Sequence, residues 1–283
     1  MKIKTVGVIG CGVMGNGVTL VCAQSGYHVT VSEVNEKLLK KGLETIDSIL
    51  TKSVEKGKTT QQDKDATMTR IKGTTDMKDF SDCDMIIEAA VEKLDVKKQI
   101  FTELDKICHT HTILGTNTSC LPITEIATVT SRPDKVLGIH FFNPVPVMKL
   151  LEIVKTILTS DETLETVKEF GETVGKTSVV AKDTPGFLVN SLHVPQLLNA
   201  IRMLENSVAT KEDIDTSVRL GLNHPLGPLA LADLVGLDTE IFIASAIYEE
   251  TKDPQFIVPQ LLKKMVAAGW LGRKTGRGFY DYT

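Results

Sequence analysis

Residues 5–18 read TVGVIGCGVMGNGV, and few stretches restrict a fold so tightly. A β-branched strand runs straight into Gly10, Gly12 and Gly15 in GxGxxG spacing, and a helical pattern follows through Ser25. In that setting the first glycine permits a tight turn, the second lets a pyrophosphate approach the backbone, and the third lets the helix pack on the strand. Unpaired N–H groups at the start of the helix, at Val13 and Met14, then face an anion. Strand before and helix after predict a dinucleotide-binding unit with Gly10, Gly12, Val13, Met14 and Gly15 against the cofactor. The next strand, HVTVSE, ends in Glu33, roughly 20 residues on, where an acid binds the ribose hydroxyls. A carboxylate there repels a 2′-phosphate, and the next basic residue is Lys37, so NAD is favoured over NADP. Taken alone, Glu33 also reads as an ordinary exposed charge at a strand end.

Further strand patterns recur at IKGTT, DMIIEAA, TILGTN, VLGIHFF, KLLEIV and TSVVAKD, with helical patterns at Glu36–Lys56 and Leu94–Cys108. Such alternation predicts an α/β fold, a doubly wound and mostly parallel Rossmann-type sheet. The later strands follow on short connections, which points to antiparallel members at the sheet's end. After Asp183 the character changes to helical, with Pro185 suited to a first turn, Pro195 set to kink the helix, and Thr210 and Asp213 in capping-box spacing. Two domains are expected: residues 1–184, binding the dinucleotide, and residues 185–283, all helical.

At 283 residues the chain is comfortable for two domains, and 42% hydrophobic with 24% charged residues suits a globular protein. A net charge of −4 argues against a nucleic-acid binder. No apolar run approaches the roughly 18 residues of a membrane span, and MKIKTVGVIG lacks signal-peptide organisation, so a cytoplasmic location is expected. Cys11, Cys22, Cys83, Cys108 and Cys120 show no metal-ligand spacing; they read as small buried hydrophobes, and no metal is expected.

One stretch stands out chemically: GIHFFNPVPVMKLLEIV, residues 138–154, puts a single His and a single Glu into apolar strands. Asn143 and the Pro144–Pro146 turn would reverse the chain, so that Glu152 lies beside His140. A buried carboxylate is costly unless paired, and His140 is the obvious partner. A His at the carboxyl end of a sheet strand also faces the ligand crevice. Lys52 and Lys56, spaced i, i+4, offer cations for an anionic ligand, or an ordinary solvated face.

HFFNPVPVMKLLEI, TNTSCLPITEIA, KDTPGFLVN, NHPLGPLALADLVGLDT and GWLGRKTGRGFYDY together resemble the L-3-hydroxyacyl-CoA dehydrogenase family over essentially the whole chain. The resemblance is nearest to its short single-function members, the 3-hydroxybutyryl-CoA dehydrogenases. It implies NAD-dependent oxidation of an (S)-3-hydroxyacyl-CoA, with acetoacetyl-CoA as the short-chain keto partner. His140 is then the acid/base at the C3 oxygen and Glu152 orients its ring. Ser119 contacts substrate and nicotinamide, and Asn190 orients the substrate. Glu92, Lys97 and Asn143 join the cofactor site, although Glu92 and Lys97 taken alone read as solvated helix-start charges. Lys56, with Lys52 beside it, matches a CoA-contacting lysine. The family's helical domain also implies a homodimer through residues 185–283. Ser191 stands where the family commonly has Arg, Asn199 where it often has an acid, and Glu33 where it usually has Asp. Two other readings stay open: a dehydrogenase of a free hydroxy acid, and a non-catalytic NAD-binding relative.

Overall fold

The structure, a computed structural model, describes residues 2–282. Its chain divides into two units, Met1–Thr184 and Pro185–Thr283. The first begins with β1 (Thr5–Ile9), α1 (Val13–Gln24), β2 (His28–Ser32), α2 (Glu36–Glu55), α3 (Gln61–Thr69) and β3 (Ile71–Thr74). It continues through β4 (Met85–Glu88), α4 (Leu94–Ile107), β5 (Ile113–Thr116), α5 (Ile123–Ala127), β6 (Val136–Phe141), β7 (Leu150–Lys155), α6 (Asp161–Thr173) and β8 (Thr177–Lys182).

These elements start where local chemistry says they should. Asn35 caps α2 by accepting from the Leu38 N–H at 2.9 Å. Thr60 and Asp63 form a reciprocal capping box on α3, and Ser160 caps α6. Buried Val6, Val8, Val29, Val31 and Ile87 fill one face of the sheet and Ile86, Leu114 and Val136 the other, as strands covered by helices on both sides require.

All eight strands form one sheet in the order β3-β2-β1-β4-β5-β6-β7-β8. The first six in that order run parallel, and β7 pairs antiparallel with β6. The physical reason is the short connection 142–149, since a parallel return needs a crossover of a dozen or more residues. β7 and β8 are joined through α6, long enough for a crossover, and run parallel to each other. Strand order reverses between β1 and β4, the topological switch point at which open α/β sheets bind ligands. The carboxyl ends of β1, β2, β4, β5 and β6 all lie along one edge of the sheet.

The second unit contains α7 (Val189–Glu205), α8 (Lys211–Gly221), α9 (Pro228–Val235), α10 (Leu237–Thr251) and α11 (Gln260–Ala267) around its own apolar core, which includes Val194, Leu198, Ile201, Leu229, Ile247 and Leu262. Here one expectation is corrected. Pro185 does not open the helix; α7 starts at Val189, because Gly186 (φ 80°) and Phe187 (φ 49°) sit in the left-handed region and cannot continue a right-handed turn. Ser191 closes this turn by donating from its hydroxyl to the Pro185 carbonyl at 3.1 Å. Helix α7 runs on through Pro195. Thr210 caps α8 by accepting from the Asp213 N–H at 3.1 Å. Among the described residues, no helix is long and apolar enough to cross a membrane.

Candidate active site

At the carboxyl end of β1 the chain turns at Gly10, whose φ of 91° favours glycine. The Gly10 N–H donates to the Ser32 carbonyl at 2.9 Å, tying the loop to the end of β2. A Cβ at Gly15 would lie 1.8 Å from the Gly10 carbonyl oxygen, so the third glycine is required by packing inside the loop. Gly12 is different. A Cβ there would meet nothing within 4 Å, so the loop leaves room at the point where a pyrophosphate would approach the backbone. Val13 and Met14 follow as the first residues of α1. Glu33 bends toward the same loop: its Oε1 accepts from the Cys11 N–H at 2.8 Å and its Oε2 from the Val34 N–H at 3.1 Å. Burial, and then the charge of Glu33, push the Cys11 thiol up to about 12, so it stays protonated near neutrality.

Beyond β4 lies a buried ionic network. Lys97, in the first turns of α4, is 1% exposed and donates to both oxygens of Glu88 at 2.8 and 2.9 Å. It also pairs with Glu92 Oε2 at 3.2 Å. The other oxygen of Glu92 accepts from the Ser119 N–H at 2.9 Å, from the Ser119 hydroxyl at 3.4 Å and from the Thr118 hydroxyl. The solvated reading of these helix-start charges is therefore wrong for Lys97, whose burial is made tolerable by two carboxylates. Cys120 sits beside this network; burial and the Glu92 charge push its thiol up to about 12.

His140 and Glu152 occupy directly paired positions across β6 and β7. The imidazole Nδ1 lies 2.7 Å from Glu152 Oε2, and the Glu152 side chain is fully buried. With Nδ1–H donating to the carboxylate, Nε2 becomes the basic ring nitrogen. Phe142 packs on the imidazole with ring centroids 4.5 Å apart. The Asn117 side chain accepts from the Phe141 N–H at 2.8 Å, joining the end of β6 to the loop that carries Ser119. Asn143 is exposed in the turn that follows. The buried Lys176 ammonium braces that turn, donating to the carbonyls of Val145 and Met148. Burial pulls its pKa below the ordinary lysine value, with the charge of Lys149 adding to the effect.

Both parts of the chain match family models described as 3-hydroxyacyl-CoA dehydrogenase: the NAD binding domain over residues 5–184 and the C-terminal domain over residues 186–282. The chain belongs to the 3-hydroxyacyl-CoA dehydrogenase family. A 3-hydroxybutyryl-CoA dehydrogenase of Mycobacterium tuberculosis (strain ATCC 25618 / H37Rv) is 48% identical over 282 residues, covering 99% of each chain. One from Clostridioides difficile is 46% identical over 275 residues, covering 97% of this chain and 98% of its own. Among solved structures, the (S)-3-hydroxybutyryl-CoA dehydrogenase PaaH1 of Ralstonia eutropha superposes with a TM-score of 0.95 at 43% identity, covering 100% of both chains.

Within this 3-hydroxyacyl-CoA dehydrogenase framework, the glycine loop, Glu33, Glu92, Lys97, Ser119 and His140 all fall on or just beyond one edge of one sheet. Asn190 belongs to the other unit, where it is the second residue of α7 and buried. Lys52 and Lys56 are exposed at the far end of α2. That helix stops at Glu55, so Lys56 is its C-cap rather than a helical residue. Cations at a helix C-terminus also complement its dipole, which gives both lysines a second reason to be there. Reasoning from the sequence missed Glu88, Thr116, Asn117 and Lys176. Glu88 carried a readable signal, since it is a lone acid ending the apolar run MII, the same pattern that singled out Glu152.

Proposed function

We propose that this chain interconverts (S)-3-hydroxybutyryl-CoA and acetoacetyl-CoA, with His140 moving the proton at the C3 oxygen. The reaction class is that of an NAD-dependent 3-hydroxyacyl-CoA dehydrogenase. The observation that carries the assignment of His140 is its 2.7 Å contact with the buried Glu152, on a strand whose carboxyl end lies beside the glycine loop's edge of the sheet.

Residues around the loop fit NAD: Gly12 leaves the backbone open, Val13 and Met14 begin a helix, and Glu33 brings a carboxylate to the same end. Gly10, Gly12, Val13, Met14 and Gly15 would hold the pyrophosphate, Glu33 the adenosine ribose, and Glu92, Lys97, Ser119 and Asn143 the nicotinamide half. NAD supplies the acceptor for the hydride lost from C3. As that bond breaks, His140 Nε2 takes the hydroxyl proton, and Glu152 stabilises the imidazolium that forms. In the reducing direction the same nitrogen returns the proton to the carbonyl oxygen. Ser119, whose N–H is held by Glu92, sets its hydroxyl against substrate and nicotinamide, and Asn190 orients the substrate. Lys52 and Lys56 meet the phosphates of coenzyme A.

The protein works in the cytoplasm as a homodimer through residues 185–283, without nucleic acid. Support comes from the apolar side chains that unit exposes, such as Leu192 at 76% and Phe242 at 45%, and from the net charge of −4. Light scattering at micromolar concentration is expected to give twice the chain mass; a monomeric mass contradicts the dimer. Chiral analysis of the product formed from acetoacetyl-CoA and NADH tests the reaction itself. The (S)-thioester is expected, and the (R) product would overturn the placement of His140 relative to the cofactor.

A further inference from the structure

We infer that Glu88 is a positioning residue for the reaction: it holds Lys97 so that Glu92 stays committed to the Ser119 loop. The inference rests on the functional reading above, in which Ser119 meets the reacting groups.

Glu88 is fully buried at the last position of β4. Three donor groups make four hydrogen bonds to its carboxylate: the Lys97 ammonium on both oxygens, the Ala90 N–H at 2.7 Å and the Thr116 hydroxyl at 2.7 Å. Thr116 is its registered neighbour on β5, so the sheet itself sets this geometry. Such an arrangement is costly to assemble. Lys97 puts a positive charge near the N-terminal end of a helix, where the dipole opposes it, and does so out of contact with water. The two carboxylates have different surroundings. Glu92 keeps 23% side-chain exposure and uses one oxygen to hold the Ser119 N–H and hydroxyl. Glu88 touches neither Ser119 nor any position a ligand could reach at 0% exposure.

The division of labour follows from the charges. Two carboxylates share one ammonium, and the closer contact, 2.8 Å against 3.2 Å, belongs to Glu88. Glu88 therefore does most of the neutralising, and Glu92 can point its second oxygen at the loop. Without the Glu88 charge, a buried ammonium would have Glu92 alone and would compete with Thr118 and Ser119 for that carboxylate. The Ser119 hydroxyl would lose its fixed acceptor, while Glu88's own site on the sheet would keep its shape in an isosteric amide.

The test is a double-mutant cycle in the full-length enzyme, using Glu88→Gln, Ser119→Ala and both together, with kcat for acetoacetyl-CoA reduction by NADH as the readout. Glu88→Gln is expected to lower kcat about tenfold, the size of coupling seen between residues sharing one network. In the Ser119→Ala background the same change is expected to cost less than about twofold, because the group it positions is gone. Equal losses in both backgrounds would mean that Glu88 only supports the fold, and would overturn the inference. Should Glu88→Gln fail to fold, Thr116→Val removes one donor from Glu88 instead; a loss of about threefold that vanishes with Ser119→Ala supports the role, and an unchanged loss overturns it. Absence of turnover in the unmodified protein would instead sink the functional reading, and this role with it.

Discussion

His140 and Glu152 are placed opposite each other by strand register, and the register is fixed by the antiparallel return from β6 to β7. Because side chains alternate along a strand, a slip of β7 by one residue would turn Glu152 to the other face, away from His140. Their contact is therefore a property of the hairpin and not of two flexible side chains. Replacing His140 by Ala is expected to lower kcat by about 10²–10⁴-fold, the usual worth of a positioned acid/base. Glu152→Gln keeps the shape but removes the charge that stabilises the imidazolium, and a loss of about a hundredfold or more is expected. NADH affinity, read by fluorescence titration, is expected to stay within about twofold in both. Equal damage to kcat and to NADH binding would mark the pair as structural.

The glycine loop separates two kinds of substitution. Gly15→Ala drives a Cβ to 1.8 Å from the Gly10 carbonyl oxygen, so the protein is expected to lose stability near the upper end of the ~1–3 kcal/mol range of overpacked sites. Gly12→Ala meets no protein atom, and its melting temperature is expected to stay unchanged. Its NADH affinity, however, is expected to fall about tenfold, because the methyl occupies space reserved for the pyrophosphate. Thermal melts beside NADH titrations of the two variants check both statements.

Glu33 binds its own loop through the Cys11 N–H, while carboxylate oxygens retain further lone pairs for ribose hydroxyls. Glu33→Gln removes the charge that repels a 2′-phosphate. The ratio of kcat/KM for NADH over NADPH is expected to shrink about tenfold, equivalent to ~1.4 kcal/mol. An unchanged ratio would return Glu33 to an ordinary strand-end charge.

Asp105 supplies the stability prediction. It accepts from the Ser131 N–H at 2.8 Å, from the Ser131 hydroxyl at 3.1 Å and from Arg132 Nε at 2.9 Å. Burial works against the carboxylate, but the Ser131 bonds and the Arg132 charge outweigh it and hold its pKa below the ordinary aspartate value. A carboxylate whose folded pKa lies below its unfolded one stabilises the protein fully above the unfolded value, near ~3.9, and loses that contribution as pH falls through the folded value. Asp105→Asn is expected to cost about 2 kcal/mol at neutral pH, because it leaves the buried Arg132 without its charged partner. The gap to the unmodified protein should close below about pH 4. Urea melts across that range decide the matter, and a gap that persists at low pH would contradict the account.

What could be read from residue order and what could not divide along one physical line. Alternating β-branched runs such as HVTVS and MII make strands through local patterning, and the glycine spacing makes its turn through local sterics. The parallel α/β architecture with a helical second unit was legible for that reason. Lys97 was not, because a lysine in the first turns of a helix has the local pattern of a solvated charge. Only the sheet, by ending β4 in Glu88 beside Thr116, reveals that its ammonium is buried. Pro185 was misplaced for a related reason, since the left-handed turn at Gly186 and Phe187 outweighs the proline's own preference for a helix start. Helix α6 also escaped notice, although Ser160 before Asp161 and Glu162 carries the signature of a capped, acidic first turn.

The most direct test follows absorbance at 340 nm with acetoacetyl-CoA and saturating NADH, then with NADPH, and then with free acetoacetate. The account predicts rapid oxidation with the thioester and NADH, and at most slow turnover when either is replaced. Comparable rates with free acetoacetate would contradict a CoA-directed site, and no oxidation of NADH by the thioester would contradict the assigned reaction.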